Sequence, residues 1–97
     1  MNYRITFSTY ENATGKSTGK TILQRDLQQI ASINNIQGFS LTDQIGYWAG
    51  EYELSYCLTL LDTTPKIAEA VAVAIKKQYR QDAVILEALA NTNVRFI

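Results

Sequence analysis

Seven consecutive residues of this 97-residue chain, Gly15-Lys16-Ser17-Thr18-Gly19-Lys20-Thr21, combine glycines with charged and hydroxyl donors. Lys16 and Lys20 supply two ammonium groups, and Ser17, Thr18 and Thr21 supply hydroxyls. Glycines let neighbouring backbone N–H groups converge, and an apolar helical period begins just after the stretch, so a helix N-terminus would add its positive end. That is the chemistry of an anion site, above all for phosphate. The competing reading is a polar connection in which Thr18 or Thr21 caps the helix. Tyr47, Trp48, Tyr52 and Tyr56 form a second group, suited to core packing, to stacking on a flat ring, or to holding a partner protein. Tyr10 and Trp48 are the aromatics best placed to stack on a base held by the loop. The expected ligand-binding set is therefore Gly15, Lys16, Ser17, Thr18, Lys20 and Thr21 with Tyr10 and Trp48. Four carboxylates complete the inventory: Asp43 on an apolar strand face, Glu51 and Glu53 beside the aromatics, and Glu87 in an apolar run. Each reads as paired or at a strand edge; a buried one would have a raised pKa and serve as a general acid or base.

What is missing narrows the chemistry. The chain has no histidine and one cysteine, Cys57. Ser-His-Asp and Cys-His catalysis, histidine phosphotransfer and most zinc sites are excluded, and disulfide stapling is impossible within the chain. No metal, no cofactor and no enzymatic activity are expected. Nine basic and nine acidic side chains cancel, so nothing draws the chain generally to nucleic acid or anionic membranes. No run approaches the ~20 apolar residues of a membrane span. Met1-Asn2-Tyr3-Arg4-Ile5 enters a strand pattern at once, without a signal-peptide core, so the expected location is cytoplasmic.

The elements that would position these groups can be read from hydrophobic periods. The organising element is a hairpin from Phe39 to Leu61. Phe39, Leu41, Asp43, Ile45 and Tyr47 share one parity, and Tyr52, Leu54, Tyr56, Leu58 and Leu60 share the matching one. Ala49-Gly50 provides the tight turn, and Gly46 marks a bulge or a close backbone approach. Residues 3–10 alternate as a first strand. Ile22, Leu23, Leu27, Ile30 and Ile33 form a helical stripe from Lys20 that ends at Asn34-Asn35. Thr64 and Pro65 have the N-cap and N1 residue types of a second helix with the stripe Ile67, Ala68, Val71, Ala72, Ile75 and Tyr79. Residues 83–89 read as a buried strand, 91–93 as a turn and 94–97 as a short tail strand. The order β-α-β-β-α-β makes residues 1–97 a single α+β domain, a ferredoxin-like sandwich with two helices on one face of an antiparallel sheet. The open face is polar, carrying Arg4, Thr6, Gln44, Glu53, Ser55, Cys57 and Thr59 among others, with one apolar side of the last strand. It suits solvent or a subunit interface.

Two resemblances follow. The loop resembles the phosphate-binding loop of P-loop NTPases, G-x-x-x-x-G-K-[ST], but it is one residue short, since Gly15 stands where the pattern needs a glycine at Thr14. No acidic magnesium ligand follows, so the NTPase reading is rejected while the anion chemistry is kept. The strand order, with Tyr47-Trp48-x-Gly50-x-x-Glu53 and Gln81-Asp82-Ala83-Val84, is weakly similar to the broad class of small ferredoxin-like proteins that includes the PII and CutA regulators, with no specific family match. That resemblance implies an oligomer, commonly a trimer, with ligands in clefts between subunits.

The expected function is a non-catalytic homo-oligomer, dimer or trimer, that binds a phosphorylated or nucleotide-like small molecule. The alternative is a protein-interaction module or inhibitor that docks on a larger host protein. Compact single-domain chains of this type are common in phages, which makes a phage origin and antagonism of host defence the accompanying expectation.

Overall fold

A computed structural model of the protein describes residues 1–11 and 13–89, without the Trp48 side chain. The elements are β1 (Asn2–Phe7), α1 (Lys20–Ile33), β2 (Gly38–Trp48), β3 (Glu51–Leu61), α2 (Pro65–Gln78) and β4 (Ile85–Leu89). They form a four-stranded sheet in the order β2-β3-β1-β4, antiparallel throughout, which is the ferredoxin-like arrangement.

The alternating burial of β1 turns Tyr3, Ile5 and Phe7 toward the helices, where they meet Tyr56, Leu58 and Leu60 of β3. Leu23, Leu27 and Ile30 of α1 and Ala68, Val71, Ala72 and Ile75 of α2 close the core from the other layer. At one end of it, Phe7 lies 5.9 Å from Tyr56 and 6.1 Å from Tyr79, ring centroid to ring centroid. The ends of α2 follow the sequence closely. Thr64 is the N-cap, its Oγ1 accepting from Ile67 N at 3.3 Å, and Pro65 is the first helical residue. Helix α1 ends at Asn34, and Asn35 takes a φ of 57° as Ile36 N reaches back to Ala31 O.

Several expectations need correction. Ile22 and Ile33 are not in the buried stripe of α1: they are 50% and 81% exposed, and Ala31 is buried instead. The helix packs with a narrower face than a count of its aliphatic residues implies. The first strand stops at Phe7 rather than residue 10, and β4 begins at Ile85 rather than 83. Gly46 marks no bulge, because it pairs regularly with Glu53, and a Cβ there would meet Glu53 O at an ordinary 3.8 Å. In keeping with the paired or edge reading of the carboxylates, none of Asp43, Glu51, Glu53 or Glu87 is buried. The turn at 91–93 and the strand at 94–97 lie outside the described residues. On the open face, Cys57 Sγ sits 3.1 Å from Gln44 Oε1 and 3.4 Å from Thr6 Oγ1. Ile85, opposite Thr6, and Leu89, opposite Asn2, are the apolar residues of β4 on that face, whereas Leu86, opposite Ile5, faces the helices. Among the described residues no helix is long and apolar enough to cross a membrane.

Candidate functional site

The hairpin outruns the rest of the sheet. β2 and β3 pair from Gly38↔Leu61 to Trp48↔Glu51, whereas β1 pairs with β3 only from Tyr3↔Leu60 to Phe7↔Tyr56. β3 therefore continues for five residues, Glu51 to Ser55, past the point where β1 leaves it. The departure is held by side chains. Ser8 Oγ accepts from Tyr10 N at 3.0 Å. The buried Thr9 hydroxyl accepts from Thr18 N at 3.2 Å and donates to Thr18 O at 3.3 Å, so the loop is fastened where the strand ends.

A cavity of about 410 Å³ opens in the resulting fork. Ser8, Thr9, Tyr10 and Ser17 form one wall. The other is the free stretch of β3, Glu51 to Leu54, with Tyr56 behind it. The lining thus holds three hydroxyl side chains, three tyrosines and two carboxylates, and no lysine or arginine. Tyr52 also meets Tyr47 edge-on, centroids 5.3 Å apart, on the side of the hairpin that faces the helices lower down.

The structure divides the expected ligand set. Tyr10 and Ser17 line the cavity. Gly15, with φ 68°, and Lys16 belong to a tight turn closed by Glu11 N to Lys16 O and Gly15 N to Glu11 O, both at 2.8 Å. Thr18 is engaged with Thr9, and Lys20 Nζ is paired with Asp43 Oδ2 at 2.8 Å. That hydrogen bond, more than the carboxylate's charge as such, raises the Lys20 pKa. Thr21 lies exposed in the first turn of α1, whose N-cap is Gly19 with no side-chain cap, so neither Thr18 nor Thr21 serves as one. The Trp48 side chain is outside the described residues.

Sequence reasoning passed over Ser8 and Thr9 and weighed Glu51 and Glu53 only as candidates for burial. The available signal was a mismatch of lengths. A hairpin arm of eleven residues beside a strand that turns polar at Ser8-Thr9 must leave part of the arm unpaired.

No protein-family model matches the chain, and no curated protein does. Solved structures do match. A phage SAM lyase in its apo state superposes with a TM-score of 0.72 at 17% identity, over 88% of this chain and 75% of that one. The phage SAM lyase in complex with S-methyl-5′-thioadenosine gives 0.62 at 14% identity, over 88% and 76%. A variant of CutA1 from Pyrococcus horikoshii OT3 gives 0.59 at 15% identity, over 98% and 87%. At these identities the likeness is one of fold, and the CutA-like relation is weak and points to no specific family. One expectation is overturned. The chain was expected not to be an enzyme because it lacks histidine, yet the phage SAM lyases are enzymes on this fold, so the architecture gives no ground for excluding catalysis.

Proposed function

We propose that the cavity binds a thioether or sulfonium nucleoside of the S-adenosylmethionine class, and that the chain cleaves the sulfonium form as a lyase. The observation that carries this reading is the lining: three tyrosines and two glutamates without one lysine or arginine. A nucleoside fits a cavity of this size. Tyrosine rings can cover a purine, and carboxylates accept from a ribose diol. A sulfonium would sit between carboxylates and aromatic faces, both of which attract cations. A polyphosphate would instead face Glu51 and Glu53 with no basic partner, since Lys20 is engaged by Asp43. The ligand bound to the phage lyase, S-methyl-5′-thioadenosine, belongs to the class the lining favours.

The chemistry asks little of the protein. Cleavage between the sulfonium sulfur and the four-carbon amino-acid chain leaves the bond pair on sulfur, which departs as a neutral thioether. The carbon fragment is completed by its own carboxylate closing a ring, or by loss of a proton to Glu51 or Glu53. Neither route uses an imidazole, so the lack of histidine is no obstacle. The chain acts as a homo-oligomer in this reading, because apolar residues of the hairpin beside the cavity lie uncovered.

The test is incubation with S-adenosylmethionine, chromatography for S-methyl-5′-thioadenosine, and thermal shift with both compounds, AMP, ATP and inorganic phosphate. The expected result is a ligand-dependent rise in melting temperature with the two sulfur nucleosides and release of the thioether, both diminished in Glu51→Gln/Glu53→Gln. A response to AMP, ATP or phosphate alone, lost in Lys16→Ala/Lys20→Ala, would move the site to the Gly15–Thr21 loop and overturn the reading.

A further inference from the structure

The free stretch of β3 offers more than side chains. Ala49 and Gly50 both have positive φ, 51° and 88°, the signature of a two-residue hairpin loop. Such a loop is closed by a hydrogen-bonded pair, here Trp48↔Glu51. Hydrogen-bonded pairs then alternate down the ladder, so Gly46↔Glu53 and Gln44↔Ser55 bond across to β2, while Tyr52 and Leu54 do not. The 3.8 Å from a Cβ on Gly46 to Glu53 O fits this phase. Tyr52 and Leu54 therefore turn their N–H and C=O away from β2, toward the side where β1 would stand. β1 has left by then: its last pair is Phe7↔Tyr56. Among the described residues neither set of groups meets a backbone partner on that side. Both residues line the cavity.

An unpaired strand edge at a cavity is a built-in reader of flat donor-acceptor ligands, because one strand residue presents an N–H and a C=O side by side. The Watson–Crick edge of adenine presents the complement, an acceptor at N1 beside a donor at N6. We propose that the main chain of Leu54 recognises the adenine base, its N–H donating to N1 and its C=O accepting from N6. Leu54 is the deeper of the two residues, 56% exposed against 79% for Tyr52. With the sugar held elsewhere, a 6-oxopurine shows the reverse order of donor and acceptor and is rejected. The free edge is too short for an added peptide strand, since only two residues on it point outward and the wall of Ser8, Thr9 and Tyr10 closes it. The inference rests on the nucleoside reading of the cavity, and it names the part of the ligand that this edge reads.

The experiment measures affinity of the intact protein for S-methyl-5′-thioadenosine and three analogues: 1-deaza, N6,N6-dimethyl and the inosine counterpart. Each analogue should bind about ten-fold or more weakly, the cost of one buried group left without its partner. Leu54→Pro removes the N–H that faces the cavity and no bond of the ladder to β2, a placement strands tolerate on a free side. It should weaken the parent ligand about ten-fold and leave the 1-deaza analogue, which never used that N–H, unchanged. Should this variant fail to fold, the wild-type analogue series and the shift of the Leu54 amide resonance on binding decide the matter. Equal affinity for all four compounds overturns base recognition by Leu54 while the nucleoside reading stands. Discrimination among simple adenosine analogues, with no binding of the sulfur nucleosides, supports the base contact and overturns the proposed substrate. Absence of binding by any of them overturns both.

Discussion

Tyr79 ties three elements together. Its ring stacks on Phe7 of β1, and its hydroxyl donates to Asp26 Oδ2 of α1 at 2.9 Å. Burial first, and then the bond to Asp26, push its pKa far above the ordinary phenol range. An unfolded phenol ionises near pH ~10. The folded one holds its proton to higher pH, so between the two values the unfolded chain binds fewer protons than the native one. The stability this group contributes is therefore fully present below about pH 10 and is lost as pH rises through the folded pKa. Tyr79→Phe should cost about 1–2 kcal/mol near neutral pH, since a half-buried carboxylate loses its donor. Urea midpoints compared from about pH 8 to about pH 11 should show the gap between wild type and variant narrowing at the alkaline end. A gap that stays constant would mean that the phenol titrates normally.

The hairpin turn carries strain that its sequence conceals. Ala49 sits at φ 51°, where a Cβ is crowded and Ala-Gly is a poor choice beside Asn-Gly. Ala49→Asn should raise stability by about 0.5–1 kcal/mol, read as a higher urea midpoint with unchanged slope. An unchanged or lower midpoint would count against this turn geometry. The turn itself was legible, since two alternating arms leave only Ala49-Gly50 to connect them. The α2 start was legible for a similar reason, because Thr64 and Pro65 act on the backbone locally. The α1 stripe was less so. Ile22 and Ile33 obey the helical period, but which flank of a stripe is covered depends on the neighbouring layer. The cavity was the least legible feature. It arises where one strand ends before its partner, and strand ends are set by the Thr9–Thr18 hydrogen bonds, which join residues from either side of the loop. The Gly15–Thr21 pattern was chemically sound as a donor-rich loop, yet Lys20 at the start of α1 found Asp43 of β2, a pairing that only the fold brings about.

The molecule is elongated, 41 × 30 × 23 Å, because the hairpin extends beyond the helices. On its helix-side face the extension carries Ile45, Tyr47, Tyr52 and Leu54, which are 75%, 64%, 79% and 56% exposed. Lower on the same face the equivalent positions, Leu58 and Leu60, are buried in the core. An exposed apolar face of this type marks an interaction surface. β2 also lies at the edge of the sheet, with no strand beyond it among the described residues, and natural proteins cover such edges. A second copy of this chain meets both needs with surface already present. It would also stand over the cavity, since Tyr52 and Leu54 belong to the patch and to the lining. The expected state is a homo-oligomer, dimer or trimer, with a mass that is a multiple of 10.9 kDa in light scattering at micromolar protein. Ile45→Lys/Tyr47→Lys charges the patch without replacing a residue of the cavity lining, and it should reduce the mass to that of one chain while the fold persists. Affinity for S-methyl-5′-thioadenosine should fall in the same variant, and in the wild type on dilution, because each cavity would lose the wall its neighbour supplies. A single-chain mass for the wild type would sink the assembly. An oligomer that survives the double substitution would place the contact elsewhere, on the open face around Thr6, Cys57 and Ile85.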